Sequence, residues 1–232
     1  MEITFTNTLS FSIEQPRPAS EFVPEWYKNT KSYVNNEKKP LGDGQIPSTI
    51  KRCVPVFDAI TSGYIITVPV DIYVSIKTDE NGNKGQSFEW PALEPLGFHV
   101  IEQAPEHPQA KPPYAYPKFN NPWAIKTPKG YSTLFVQPFH RESPFTIFPG
   151  IVDTDRYTTN VNFPFVINDP NFEGLLKQGT PMAQVIPIKR NSWNMKIGNE
   201  KNLLEHKESA NRVALRFFDK YKYMFWDKKE YK

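Results

Sequence analysis

Two aspartates and a tyrosine follow a glycine turn in the second half of the chain. The segment reads Phe148-Pro149-Gly150-Ile151-Val152-Asp153-Thr154-Asp155-Arg156-Tyr157. This order predicts two carboxylates, Asp153 and Asp155, at the edge of a strand, with the ring of Tyr157 beside them. A carboxylate positioned in this way can act as a general base toward an attacking water.

A second polar position lies farther along the chain. The segment Lys177-Gln178-Gly179-Thr180-Pro181-Met182-Ala183-Gln184-Val185-Ile186 begins with a turn glycine and continues as a strand. Its Gln184 offers both a hydrogen-bond donor and an acceptor.

Together the two segments resemble motifs three and four of the trimeric dUTPase and dCTP deaminase superfamily, which has the β-clip fold. In that superfamily the pattern is Gly-x-Ile-Asp-x-Asp-Tyr, then a strand pair, then Gly-x-x-x-Ala-Gln. The resemblance covers residues 128–190 and implies nucleotide hydrolysis, with Mg²⁺ as a cofactor only if that activity is present. Asp153, with Asp155 beside it, would then activate the water, Tyr157 would pack on the sugar, and Gln184 would lie near the phosphates.

Arg141 and Ser143 resemble the Arg-Ser motif that precedes these segments in the superfamily, which implies that they bind substrate. The chain departs from the pattern, because Glu142 separates Arg141 from Ser143 and Arg156 is inserted before Tyr157. It also has neither the alanine-glycine-aspartate motif nor the glycine-rich tail. A carboxylate is therefore available, but no clamp for a metal-bound triphosphate is visible.

The whole chain is also similar to an uncharacterised family carried by phages and some bacteria. The sequence segments that carry this similarity are Phe22 to Tyr27, Pro122 to Pro128, and the Gly150 and Gly179 segments described above. The similarity implies an association with phages and attaches no activity.

The histidines give a weaker case for metal chemistry. His99 and His107 lie around Glu102 and Glu106, and imidazole with carboxylate is a ligand combination for zinc or iron. With His140 included, the spacing matches no recognisable oxygenase arrangement. We therefore predict no metal site and expect histidines that are exposed or hydrogen-bonded.

The elements that must position these residues are mostly β-strands. Residues 64–76 alternate apolar and polar side chains, which predicts one long strand with an edge or a bulge at Pro69. Asn81-Gly82 predicts a hairpin turn. Further short strands are predicted at Tyr131 to Val136, Phe145 to Phe148, Thr159 to Ile167 and Met182 to Ile188.

Helices are predicted at the start and at the end of the chain. Short helices follow Pro24 and span Pro55 to Ile60, and helical spacing from Asn202 to about Tyr223 predicts a terminal amphipathic helix.

The predicted fold class is mainly β, with a β-clip-like or barrel or sandwich sheet core and a C-terminal α-helix. We expect one domain over residues 1–232, comprising a β-rich part with a proline-rich segment (1–127), a β-clip-like part (128–190) and a helix and tail (191–232).

Two aromatic-rich stretches each have two interpretations. Tyr114, Tyr116, Phe119 and Trp123 are predicted to cover the sheet, with stacking on sugars or bases as the alternative. In residues 220–232 lysines alternate with aromatic residues, which indicates a solvated helix end rather than a contact with an acidic partner.

Composition narrows the function classes. The 232 residues carry 28 Lys+Arg against 25 Asp+Glu, and this net charge of +3 does not indicate nucleic-acid binding. The 23 prolines argue against a helical bundle. No apolar run is long enough for a membrane helix, no secretory signal is visible, and Cys53 is the one cysteine. We expect a cytoplasmic protein, in the host cytoplasm if it is phage-encoded, with a place in the virion left open.

Three hypotheses result. The first is a non-enzymatic binding or assembly module that forms a homo-oligomer or contacts other protein subunits. The alternative is a dUTPase-like, nucleotide-processing hydrolase with Asp153 as the general base. The second alternative is a metal-dependent oxygenase-type β enzyme that uses His99, His107 or His140.

Overall fold

The computed structural model describes residues 1–38, 47–104, 106–109, 116–214 and 220–232. Its strands are β1 (Thr4–Asn7), β2 (Arg17–Pro18), β3 (Tyr64–Thr67), β4 (Ile72–Thr78), β5 (Lys84–Glu89), β6 (Leu96–His99), β7 (Tyr116–Phe119), β8 (Trp123–Lys126), β9 (Tyr131–Val136), β10 (Phe145–Ile147), β11 (Gly150–Val152), β12 (Phe163–Ile167), β13 (Gly174–Leu176) and β14 (Pro181–Lys189). Its α-helices are α1 (Glu25–Asn29), α2 (Val54–Thr61), α3 (Glu200–Ala214) and α4 (Lys220–Met224).

The described strands form four antiparallel sheets. Their strand orders are β1-β8, β10-β12-β7-β6, β11-β9-β14-β3-β2 and β13-β4-β5. The sheets keep open edges and do not close into a barrel. The prediction of a mainly β fold with a C-terminal helix is therefore confirmed, and the barrel form is excluded. The β-clip assignment stays a prediction.

One hydrophobic cluster draws buried side chains from all four sheets. In β12 the side chains of Phe163, Phe165 and Ile167 are buried and alternate with half-buried neighbours, as a strand with one face on a core requires. The ring of Phe119 stacks on Phe165 with centroids 4.0 Å apart, and Phe145 meets Phe119 edge-on at 5.0 Å. Each fully buried phenylalanine contributes roughly 1.5–3 kcal/mol to folding, so this group is a main source of stability.

Residues 64–76 form two strands, and the prediction of one long strand is wrong. β3 pairs with β14 and β2, whereas β4 pairs with β5 and β13. Between them, Val68 donates its N–H to the carbonyl of Thr180 and accepts from the N–H of Gly179. Pro69 has no N–H with which to continue the ladder, so the chain crosses to another sheet there.

The short local elements agree with their sequence signals. Helix α1 begins after Pro24, and α2 carries Pro55 in its first turn. The β4–β5 hairpin turns at Asn81-Gly82, where Gly82 has the positive φ of +83° that favours glycine. Helices α3 and α4 lie over the predicted terminal helix, and residues 215–219 between them fall outside the described part.

The proline-aromatic stretch packs on the core. Tyr116, Phe119 and Trp123 are buried, which confirms the packing interpretation for these three, while Tyr114 lies outside the described residues. Across the described ranges, no helix combines the length and the apolar character that crossing a membrane requires.

Candidate functional site

The two predicted catalytic carboxylates both contact Arg190, which follows the last residue of β14. The Nη1 atom of Arg190 lies 3.1 Å from Oδ1 of Asp153 and donates to Oδ1 of Asp155 at 2.7 Å. Its Nη2 atom donates to Oδ2 of Asp155, so the guanidinium binds that carboxylate in bidentate fashion. The side chain of Asp155 is 3% exposed and that of Asp153 is 51% exposed. Asp155 is thus committed to a structural ion pair, and Asp153 faces solvent.

A hydroxyl cluster fixes the turn that carries these carboxylates. Thr154, between the two aspartates, is buried, and its hydroxyl lies 2.8 Å from the hydroxyls of both Thr127 and Thr133. The backbone of Asp153 then accepts the N–H groups of Arg156 and Tyr157, which closes the turn. Arg190 contacts the two neighbours of this buried threonine, Asp153 and Asp155.

Hydrogen bonds and the cation keep both carboxylates ionised. The bonds from Arg190, followed by the Gly130 N–H, hold the pKa of Asp155 far below its usual value. The pKa of Asp153 is lowered chiefly by the bond from the Ser132 hydroxyl and further by Arg190. In return, the bonds to Asp155 raise the pKa of Arg190. A carboxylate with a lowered pKa is a weaker base, so this environment does not favour proton abstraction by either aspartate.

Gln184 is buried and uses its whole amide within the protein. Its side chain is 1% exposed, and Oε1 accepts the N–H of Phe139 at 3.0 Å. Nε2 donates to the carbonyls of Ala59 at 2.9 Å and Ser62 at 2.6 Å. The amide therefore joins the end of α2 to the loop that follows β9.

The structure does not bring Gln184 and the aspartates into one cleft. In the β9–β14 and β9–β11 pairings, Gln184 lies opposite Val136, whereas Asp153 bonds to Ser132. These two positions are four residues apart on β9, which is about 13 Å of strand. Tyr157 is half exposed beside Asp153, and its hydroxyl donates to the carbonyl of Asn160 at 3.4 Å.

Arg141 and Ser143 lie in the loop between β9 and β10. The Ser143 hydroxyl accepts the N–H of Phe145 at 3.3 Å. The Nη2 atom of Arg141 is buried without a hydrogen-bond partner, and so is the Nε2 atom of Gln137 in the same loop. Burial lowers the pKa of Arg141. Buried polar groups almost always have partners, so these two donors call for an explanation.

The histidines are separately engaged. His99 pairs with Gln103 at 2.9 Å, and His107 stacks on Phe148 with centroids 4.0 Å apart. His140 is exposed. Among the described residues, no three histidine, cysteine, aspartate or glutamate side chains gather into a cluster that could hold an ion. In that part of the chain the geometry gives the oxygenase hypothesis no ligand set, and it gives Mg²⁺ no multi-carboxylate cage.

Among the described residues, a group of strongly exposed apolar side chains follows β14, and the sequence reasoning did not single it out. Trp193 is 86% exposed, Met195 91% and Ile197 79%, and Leu203 and Leu204 of α3 are also exposed. We call residues 191–214 the C-terminal arm. The alternation of Trp193, Met195 and Ile197 was visible in the sequence, but it falls after the last predicted strand and has no core-facing partner.

Contacts with the rest of the fold lie on both sides of the arm, at Arg190 before it and at Trp226 and Lys229 after it. At its start, Arg190 holds Asp155. Beyond it, the indole Nε1 of Trp226 donates to the Asp58 carboxylate at 3.0 and 3.1 Å, and Lys229 binds the same group at 2.8 Å. The exposed side chains of Tyr221 and Tyr223 in α4 agree with the predicted solvated helix end, whereas Trp226 and Lys229 beyond it contact a carboxylate of the same chain. Contact with a separate acidic partner stays an alternative.

A comparison of the chain with models of known protein families and with curated proteins finds no match. The similarity to a phage-carried family and the resemblance to the β-clip superfamily both stay predictions.

Proposed function

We propose that this protein is a binding and assembly module whose C-terminal arm docks on the arm of a second copy of the same chain. The observation that carries the proposal is the exposure of Trp193, Met195 and Ile197, since monomeric proteins rarely leave such large apolar side chains together in water. The carboxylates and the glutamine that could have supported catalysis are already bonded within the protein, which favours a non-enzymatic role.

The exposed apolar side chains of the arm are large. Five of them are between 51% and 91% exposed: Trp193, Met195, Ile197, Leu203 and Leu204. A standard interface buries about 800 Å² on each partner, and burial of one aromatic side chain such as Trp193 removes roughly 150–250 Å² from water. Pairing of two arms would therefore contribute a substantial share of an ordinary dimer interface.

Helix α3 also calls for a partner. From Glu200 to Asn211 its side chains are exposed, apart from half-buried Ser209. Asn199 and Asn202 cap its start reciprocally, each accepting the backbone N–H of the other. Helix α3 has 15 residues, close to the length below which isolated helices are marginal in water, so it would gain stability by packing on another surface.

The charges of α3 suit a second copy. The first twelve residues carry both signs and no large net charge, with Glu200, Lys201, Glu205, Lys207 and Glu208. In a two-fold dimer the same patch meets itself, so a patch of mixed sign avoids the repulsion that a one-sign patch would create.

Molar mass in solution tests this proposal. Light scattering on a sizing column should give a dimer for the wild type and a monomer for the triple variant Trp193→Ser, Met195→Ser, Ile197→Ser. The matched control is Phe98→Ser with Val100→Ser, which removes exposed apolar side chains from β6 and the residue after it. A monomeric wild type at tens of micromolar, or dissociation by the control alone, would contradict the proposal.

One specific observation favours a second candidate function, the binding of an anionic ligand such as a nucleotide phosphate at Arg141. An unpaired buried guanidinium nitrogen is costly, and an anion accepting from Arg141 would relieve that cost. This is the part of the nucleotide hypothesis that the loop supports. Catalysis by Asp153 would be a separate activity, because Asp153 lies at the end of β9 that is away from Arg141.

Calorimetry with pyrophosphate, and with dUTP and Mg²⁺, separates binding from hydrolysis. We expect Arg141→Gln to abolish any binding and Asp153→Asn to leave it unchanged. Equal heats for wild type and Arg141→Gln would remove the anion site. Hydrolysis that is lost in Asp153→Asn would restore the enzyme hypothesis.

A further inference from the structure

A cleft rich in asparagine lies away from the arm and from the carboxylate turn. It has a volume of about 300 Å³ and is lined by residues from five chain segments, among them Asn120, Asn160, Asn162, Glu94 and Leu93. This volume is at the lower end of ordinary ligand sites and suits one sugar ring. Among the described residues that line it, none is a lysine, an arginine or a histidine, so it is not suited to an anion.

The asparagines are held in fixed orientations. Asn160 donates through Nδ2 to the hydroxyl of Thr8 at 2.8 Å and to the carbonyl of Asn121 at 2.6 Å. Asn162 accepts the N–H of Asn121 through Oδ1 at 3.2 Å. Asn120 donates to the carbonyl of Glu94 at 3.0 Å. Each amide is thereby oriented before any ligand arrives, which reduces the entropy cost of binding.

These bonds leave a mixed set of unused groups. Both amide protons of Asn160 are engaged, so its Oδ1 remains as an acceptor. The Oδ1 of Asn162 is engaged, so its Nδ2 remains as a donor. Glu94 adds an exposed carboxylate acceptor. Each hydroxyl of a sugar ring can both donate and accept a hydrogen bond. Two neighbouring hydroxyls can therefore bond to fixed protein donors and acceptors at the same time.

The remaining residues that line the cleft are apolar, and the backbone of one of them is strained. Leu9, Leu93 and three prolines, Pro69, Pro95 and Pro122, line the cleft. Such side chains can cover the C–H face of a sugar ring. Leu93 has a φ of +67°, a conformation that costs of order 1–3 kcal/mol for a residue other than glycine. Backbone strain of this kind concentrates at binding sites, which is consistent with a functional loop.

From these features we infer that the asparagine cleft binds an uncharged carbohydrate ring through a pair of adjacent hydroxyls. In this arrangement Asn162 donates to one hydroxyl, while Asn160 and Glu94 accept from the pair. The inference is independent of dimerisation through the arm, because none of the described residues that line the cleft belongs to the arm.

NMR titration with four methyl glycosides, of glucose, galactose, mannose and N-acetylglucosamine, tests the inference. We expect at least one of them to bind with a millimolar dissociation constant and to shift the side-chain amide signals of Asn120, Asn160 and Asn162. N-acetylalanine methylamide serves as a peptide probe. If it shifts the same signals as strongly, or if no glycoside shifts them, the carbohydrate assignment is overturned.

The variant Asn162→Asp tests the proposed donor without removing the bond to Asn121. Aspartate keeps an oxygen for the Asn121 N–H and replaces the free donor with an acceptor, so glycoside binding should weaken by about tenfold. Asn171→Asp, on an exposed turn, adds the same charge elsewhere and should leave binding unchanged. Equal affinity in wild type and Asn162→Asp, at an unchanged unfolding midpoint, would refute the role of Asn162.

Discussion

Replacing Gln184 with leucine tests whether this residue is a structural brace. The change keeps a similar volume and removes three hydrogen bonds, from the Phe139 N–H and to the carbonyls of Ala59 and Ser62. Each buried group left without its partner costs roughly 1–3 kcal/mol, and the site is 1% exposed, so water cannot replace the amide. Three such groups at the lower end of that range give an expected loss of about 3–4 kcal/mol in the free energy of unfolding.

The expected loss is large enough to measure in two ways. For a chain of this length, 1 kcal/mol moves the thermal midpoint by roughly 2–4 °C, so Gln184→Leu should unfold about 10 °C earlier. Urea unfolding should show a lower midpoint with an unchanged slope. The matched control is Gln137→Leu, because Gln137 makes a single described bond, from the Ile147 N–H.

A glutamate at the same position tests the direction in which stability changes with pH. In Gln184→Glu the carboxylate would face the carbonyls of Ala59 and Ser62, so burial and repulsion would raise its pKa in the folded state. A raised folded pKa means that stability is highest below the ordinary glutamate pKa of about 4.3 and falls as the pH rises above it. Relative to wild type, this variant should thus recover stability in acid. If Gln184→Leu costs no more than Gln137→Leu, the structural interpretation is refuted and Gln184 is free to bind a ligand.

The other predictions concern the turn, the helix cap and the C-terminal contact. Because the pKa of Asp155 is lowered by Arg190, its contribution is present above the ordinary aspartate pKa and is lost as the pH falls toward the folded value. Acid unfolding curves of Asp155→Asn should therefore depend less on pH than those of wild type, and parallel curves would contradict this. Asn199→Ala removes half of the reciprocal cap with Asn202 and should destabilise α3 by about 1 kcal/mol, seen as lower helix content by circular dichroism, whereas an unchanged spectrum would not fit. Trp226→Phe loses the indole bonds to the carboxylate in α2 and should expose the C-terminus to limited proteolysis, and equal digestion rates would argue against that contact.

The sequence predicted local elements well because their signals are local. The Asn81-Gly82 turn and the proline-led helices α1 and α2 each depend on a few adjacent residues whose backbone preferences are strong. The prediction of one continuous strand at residues 64–76 was wrong for a physical reason. Alternation reports which side chains are buried, and the residues on both sides of Pro69 face the same core, although their backbones pair in different sheets.

The site was harder to predict because its bonds cross long stretches of sequence. Asp155 and Arg190 are 35 residues apart, and Trp226 and Asp58 are 168 apart. Only the register of β9 against β14 brings Arg190 to the carboxylate turn, and a short motif does not encode that register. The same register places Gln184 opposite the other end of β9. The Gly150 segment with its aspartates and the Gly179 segment with Gln184 therefore lie apart in space, although the sequence pattern suggested one site.

Amide hydrogen exchange of α3 at several protein concentrations tests the assembly proposal most directly. An unpacked helix opens readily and exchanges fast, whereas a helix held in an interface is protected in proportion to the dimer present. Pairing of the arms predicts that exchange in residues 200–211 slows as the concentration rises and becomes fast in the Trp193→Ser, Met195→Ser, Ile197→Ser variant. Fast exchange at every concentration, identical in wild type and variant, would contradict it.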